Sequence, residues 1–147
     1  MDLMLDTNIV LDHVDRREPF YEMSRKVCLL GVAEEANTYV SVNTIADIFT
    51  LLREDYGSQA AQDMIERNLS FLQFVGITPE DAREALKARW SDFEDCLVAR
   101  CAEKIQADYI VTRNAKDFQA SSVEAVTPEE LFEKLESQGI VYEVVDW

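Results

Sequence analysis

Apolar positions along the chain follow two periods. Short apolar runs alternate with longer segments whose apolar residues fall three and four positions apart. Leu3-Met4-Leu5 predicts a strand that ends at Asp6 and gives way to a polar turn. Residues 20–36 place Met23, Val27 and Leu30, with Cys28 and Val32 beside them, at helical spacing. Residues 38–41 read as a second strand, followed by a helix whose Ile45, Ile48, Phe49 and Leu52 form one stripe. Gly57 and Ser58 break the chain before a helix over 59–69, and 72–77 predicts a third strand. Thr78-Pro79-Glu80-Asp81 is a helix start, with a capping hydroxyl, proline at the first position and acids in the first turn. A helix over 93–105, a strand over 109–112 and a shorter one over 123–126 follow. Thr127-Pro128-Glu129-Glu130 repeats the start signature for a helix to residue 136, closed by Gly139.

Short strands separated by helices imply βαβ units. The expected architecture is α/β, with a mostly parallel central sheet of four to five short strands and helices on both faces. No repeat, low-complexity tract or linker divides the sequence, so residues 1–147 are expected to form a single domain. The β-branched, largely apolar tail within 138–147 reads as an extra edge strand or a dimer contact.

Charge narrows the function. The chain carries 14 basic and 29 acidic residues, a net charge of −15, which argues against a general nucleic-acid binder but leaves room for a local basic strip. A single histidine, His13, excludes a two-histidine ribonuclease site and a multi-histidine zinc site. Cys28, Cys96 and Cys101 form no Cys-x-x-Cys pair and read as buried thiols of a reducing compartment. With neither a signal-peptide pattern nor a membrane-length apolar run, the expectation is a soluble, cytoplasmic protein with no membrane association.

In parallel sheets, ligands bind beyond the carboxyl ends of the strands. Two strands end there in suggestive residues: Asp6-Thr7-Asn8 after the first, and Thr112-Arg113-Asn114 with Asp117 after the fourth. The helix from 93 opens beside Asp92, Glu94 and Asp95. Singly, each acid has an ordinary role as a turn former or cap; Asp92 in particular suits an N-cap, with Asp95 three residues on. Asp47 lies away from the apolar stripe of its helix and by spacing alone reads as a solvated residue. Together, carboxylates crowded without histidines need a cation, and an oxygen-only site suits Mg²⁺ or Mn²⁺ and the hydrolysis of phosphate esters.

Four stretches in order, Leu5-Asp6-Thr7-Asn8-Ile9, Ser41-Val42-Asn43-Thr44-Ile45-Ala46-Asp47, Asp92-Phe93-Glu94-Asp95-Cys96-Leu97-Val98-Ala99 and Ile110-Val111-Thr112-Arg113-Asn114-Ala115-Lys116-Asp117-Phe118, resemble the motifs of PIN-domain ribonucleases. The resemblance spans residues 3–132 and is closest to the small bacterial toxin-type (VapC-like) PIN domains. It implies a metal-dependent endoribonuclease that hydrolyses RNA by metal-activated water, leaving a 5′-phosphate and a 3′-hydroxyl. It further implies the toxin of a toxin–antitoxin pair, an antitoxin protein as partner and a homodimer. Asp6, Asp95 and Asp117 would match three metal-binding acids. Asp47 falls where the family usually has Glu and, being shorter, is expected to reach the metal through water. Thr7, Asn8, Ser41, Asp92, Thr112 and Asn114 are the expected supporting residues. Arg113 and Lys116 are the nearest cations, candidates for guiding RNA phosphate, with pairing to nearby acids as the alternative.

Two rivals stand beside this reading. Asp6-x-Asn8-x-Val10 echoes the start of haloacid-dehalogenase-type phosphatases, but Asn8 cannot supply the proton which that second position must give. The other is a PIN-like protein-interaction module with little or no nuclease activity, favoured by the acidic surface, which repels RNA and attracts a basic partner.

Overall fold

A computed structural model of the chain describes residues 1–143. Five strands, β1 (Asp2–Leu5), β2 (Asn37–Ser41), β3 (Gln73–Val75), β4 (Tyr109–Val111) and β5 (Ala125–Val126), form one parallel sheet in the order β3-β2-β1-β4-β5. Seven helices among the described residues flank it: α1 (Thr7–Val14), α2 (Tyr21–Val32), α3 (Val42–Tyr56), α4 (Ser58–Asn68), α5 (Pro79–Ala88), α6 (Phe93–Lys104) and α7 (Pro128–Ser137). The α/β architecture thus matches the expectation.

Strand alternation sorts the core into two layers. Leu3 and Leu5 of β1 point to one face, where they join Ile9 and Val10 of α1, Val27 of α2, Ile48 of α3 and Leu131 of α7. Met4 points to the other face and packs with Val98, Ala99 and Ala102 of α6, and with Ile110 and Phe118. Both faces being covered, the central strands β1 and β4 bury consecutive apolar residues, Leu3, Met4 and Leu5 and then Ile110 and Val111, as a doubly covered parallel sheet requires.

The order of strands places a switch point beside β1. The chain runs from β1 outward to β2 and β3, then crosses to β4 on the opposite side of β1. The loops after β1 and β4 therefore diverge, opening a crevice at their carboxyl ends.

Three features depart from the sequence reading. The polar turn expected after Asp6 is helix α1, eight residues long, which buries Ile9, Val10, Leu11 and Val14. A 3-10 turn over Ala115–Phe118 follows β4, anchored by Phe118, which is buried edge-on against Trp90. No strand forms over residues 138–143; instead Tyr142 meets Phe132 of α7 edge-on, and the remainder of the expected tail strand, 144–147, lies outside the described residues. All three cysteines are free and buried, and burial pushes the Cys101 thiol up to about 11. Among the described residues no helix is long and apolar enough to cross a membrane.

Candidate active site

Three of the helices that begin at the carboxyl edge of the sheet start at the crevice, and each is capped by a side chain that lines it. Asp6 caps α1, its Oδ1 accepting from the Thr7 N–H at 2.8 Å. Ser41 caps α3, its Oγ accepting from the Thr44 N–H at 3.2 Å. Asp92 caps α6, its Oδ1 accepting from the Asp95 N–H at 3.0 Å. All three caps line one cleft of about 470 Å³. Helix N-termini carry partial positive charge, which offsets part of the negative charge that the acidic side chains bring to this edge.

Asp6 is the best-held group in the cleft. It is 7% exposed, and its Oδ2 accepts from the Thr112 hydroxyl at 2.8 Å and from the Asn8 amide at 3.3 Å. Burial raises its carboxyl above the usual range, against the lowering effect of the Thr112 and Thr7 hydrogen bonds. Thr112 is itself fully buried and accepts from the Asn114 N–H at 3.1 Å, which ties the loop after β4 to the acid after β1.

On the opposite wall, a chain of hydroxyls links α1 to α3. Thr7 Oγ1 and Thr44 Oγ1 lie 3.2 Å apart, as do Thr44 Oγ1 and Ser41 Oγ. Asp47 stands one turn beyond Thr44 and lines the cleft, half-buried, with its carboxyl raised by burial. Asp95, in the first turn of α6, is the most perturbed acid. Burial, followed by the charges of Asp6, Asp92, Asp117 and Glu94, pushes it up to about 7. Asp117 is exposed at the mouth, presented by the 3-10 turn.

Six carboxylates therefore line the cleft, from Asp6, Asp47, Asp92, Glu94, Asp95 and Asp117, together with Thr7, Asn8, Ser41, Thr44 and Asn114. Neither lysine nor arginine lines it. An all-oxygen donor set with this excess of negative charge fits a hard divalent cation such as Mg²⁺ or Mn²⁺. Among the described residues no three His, Cys, Asp or Glu side chains already stand as a ready-made metal cage.

Sequence reasoning missed Glu94 and Thr44 as cleft residues. Their signal was positional: Glu94 sits in the same first turn as Asp95, and Thr44 lies three residues before Asp47, on the same helical face. Asp92 is at once a cap and a cleft residue. For Arg113 the geometry fits the alternative of pairing with an acid: its Nε lies 2.9 Å from Oδ2 of buried Asp12, and its guanidinium stacks 4.0 Å over Phe20, outside the cleft lining. Lys116 is exposed and likewise not part of the lining. His13 is half-buried outside the cleft, and burial, with the charges of Arg25 and Arg16, lowers it to about 4, so it is neutral near pH 7.

Fold and site define an α/β protein with an acid-only cleft at the switch point of a parallel sheet. Residues 2–116 match the PIN domain family, and the chain belongs to that family. Among solved structures, VapBC2 from Rickettsia felis, bound to a DNA fragment from their promoter, is similar at TM-score 0.65 and 20% identity, over 86% of this chain and 98% of that one. VapC20 from Mycobacterium tuberculosis, a sarcin–ricin-loop-cleaving toxin, is similar at TM-score 0.66 and 15% identity, over 83% of this chain and 97% of that one. VapBC-1 from nontypeable Haemophilus influenzae is similar at TM-score 0.63 and 18% identity, over 88% of this chain and 99% of that one. At these identities the likeness is one of fold. No curated protein matches the chain significantly by sequence.

Proposed function

We propose that this chain is a divalent-metal-dependent endoribonuclease and the toxin of a toxin–antitoxin pair. The observation that carries the reading is the cleft itself: six carboxylates, hydroxyls and amides, with no protein cation, at the switch point of a PIN fold. Asp6, Asp95 and Asp117 are the side chains assigned to hold Mg²⁺ or Mn²⁺, with Asp47 reaching it through water. When bound, the ion supplies an activated water and offsets charge on the phosphodiester.

The remaining work falls to the chain. Asp6 enters the site already oriented by Thr112, Asn8 and the Thr7 N–H, so little ordering is needed to present its oxygens. Asp95, at about 7, holds a proton over part of the neutral range and releases it when a cation replaces that proton's charge. The N-terminal dipoles of α1, α3 and α6 offset part of the acids' repulsion of a phosphate, and the bound ion would supply the rest. Lys116, exposed next to Asp117, remains the candidate cation for steering RNA to the mouth.

RNA is the assigned substrate, and the family resemblance assigns 5′-phosphate and 3′-hydroxyl ends to the products. The partners are a second copy of the chain and an antitoxin protein whose basic segment would enter the acidic cleft, in a cytoplasmic setting. The net charge of −15 favours a second reading, a PIN-like interaction module that binds a basic partner without turnover. The two separate on incubation with RNA: the nuclease cuts with Mn²⁺ or Mg²⁺, stops with chelator and leaves 5′-phosphate ends, whereas the module leaves RNA intact under all conditions.

A further inference from the structure

Asp12 is fully buried in α1, is not part of the cleft lining, and faces Arg113 across elements far apart in the chain. Its Oδ2 forms an ion pair with Arg113 Nε at 2.9 Å and accepts from Ser24 Oγ at 3.3 Å, while among the described residues neither Asp12 Oδ1 nor Arg113 Nε has a well-aligned hydrogen-bond partner. A buried ion pair with an orphaned oxygen is a poor way to gain stability, because desolvation offsets most of the attraction. One turn earlier on the same helix, Asn8 Oδ1 accepts from the Arg113 backbone N–H at 3.3 Å. Asn8 and Asp12 are four residues apart and stack on one face of α1. Helix α1 thus grips residue 113 twice, once by its backbone and once by its side chain.

The gripped residue lies between two others that build the site. Thr112 donates to Asp6, and Asn114 lines the cleft and donates its N–H back to Thr112. We propose that the Asp12–Arg113 pair is a positioning clasp that sets the loop after β4 against α1, so that the Thr112 hydroxyl stays on Asp6 and the turn bearing Asp117 stays at the cleft mouth. Arg113 is a positioning residue and touches no substrate. Apolar side chains would pack α1 against β4 but tolerate sliding between them; a fully buried carboxylate and a partly buried guanidinium must meet in one arrangement. The proposal rests on the nuclease reading for its catalytic consequence and on geometry alone for its structural one.

The test compares the parent with Asp12→Leu/Arg113→Met and with Arg113→Lys. Replacing a buried pair by apolar residues usually preserves folding, so the double variant separates packing from placement. Lysine keeps the charge but loses the planar group stacked on Phe20. Three quantities are read: kcat and KM on RNA, Mn²⁺ affinity of the protein without RNA, and amide hydrogen exchange at Asn114. With melting temperatures matched, the double variant is expected to lose about tenfold in kcat and in Mn²⁺ affinity, the range set by losing an outer support of a ligand, with KM within about twofold. Exchange at Asn114 is expected to rise about tenfold or more, since its Thr112 acceptor is released. Arg113→Lys moves all three in the same direction by less, and it decides the matter if the double variant does not fold. Unchanged Mn²⁺ affinity, kcat and exchange would overturn the clasp. If the parent neither cuts RNA nor binds Mn²⁺, the nuclease reading falls, and Asn114 exchange alone decides: faster exchange upholds the clasp, unchanged exchange refutes it.

Discussion

Replacing Asp95 by Asn should make the metal-free protein more stable at neutral and alkaline pH. Among the described residues the Asp95 side chain makes no hydrogen bond, and the bond that caps α6 uses its backbone N–H, so asparagine keeps the local structure. Burial and then Asp6, Asp92, Asp117 and Glu94 raise the folded carboxyl from 3.8 to about 7. Because the folded group binds its proton more tightly than the unfolded one, its contribution is most favourable below about pH 4. It declines as pH rises towards 7 and is level above that. A shift of this size corresponds to a ceiling of about 4 kcal/mol. Solvent and salt screen a half-exposed carboxylate, which reduces the expected gain for Asp95→Asn to about 1–2 kcal/mol at pH 8. That gain raises the melting temperature by about 3–6 °C in a chain of this length. Urea denaturation in chelator at pH 4, 6 and 8 measures it: the variant and parent converge at pH 4 and separate as pH rises. A variant that is less stable at pH 8, or a difference that does not change with pH, would refute the crowding argument.

Other perturbations have equally definite outcomes. Thr112→Val leaves the buried Asp6 Oδ2 short of its closest donor and should cost about 1–3 kcal/mol in urea denaturation at pH 7. Asp81, held well below the usual carboxylate range chiefly by Lys104, behaves in the opposite sense to Asp95: its contribution is present above about pH 4 and is lost as pH falls further, and Asp81→Asn removes that acid-side slope from a pH–stability curve. Phe118→Ala empties the anchor of the 3-10 turn and should cost about 3–5 kcal/mol by denaturation. Mn²⁺ added to metal-free parent should raise its melting temperature in a concentration-dependent way, and Asp95→Asn should shrink that rise.

How much of this was legible in the sequence depended on the range of the interaction. The strands around Leu3 to Leu5 and Tyr109 to Val111, the Thr78 and Thr127 capping boxes and the Asp92 cap rest on contacts within a few residues, so spacing alone reveals them. Helix α1 was hidden because its eight residues are too few to establish a period and because a buried acid, Asp12, interrupts its apolar face. The Asp6, Asp95 and Asp117 positions were legible as strand-end and helix-start acids. The true partner of Arg113 was not, because Asp12 meets it only after β1 and β4 pair. Nor could the sequence show that one cleft gathers Asp6, Ser41 and Asp92 as caps of three different helices; that follows from the strand order.

On the proposed reading, Asp6 belongs to a metal-dependent RNA-cutting site. Its most direct test is cleavage of a mixed pool of structured RNA by the parent and by identically purified Asp6→Asn, each with Mn²⁺, with Mg²⁺ and with chelator. Metal-dependent cutting is expected from the parent, with a loss of about 10²–10³-fold or more in the variant, the cost of weakening the hold on an ion that stabilises charge in the transition state. Equal cutting by both proteins, or cutting that survives chelator, would contradict that reading.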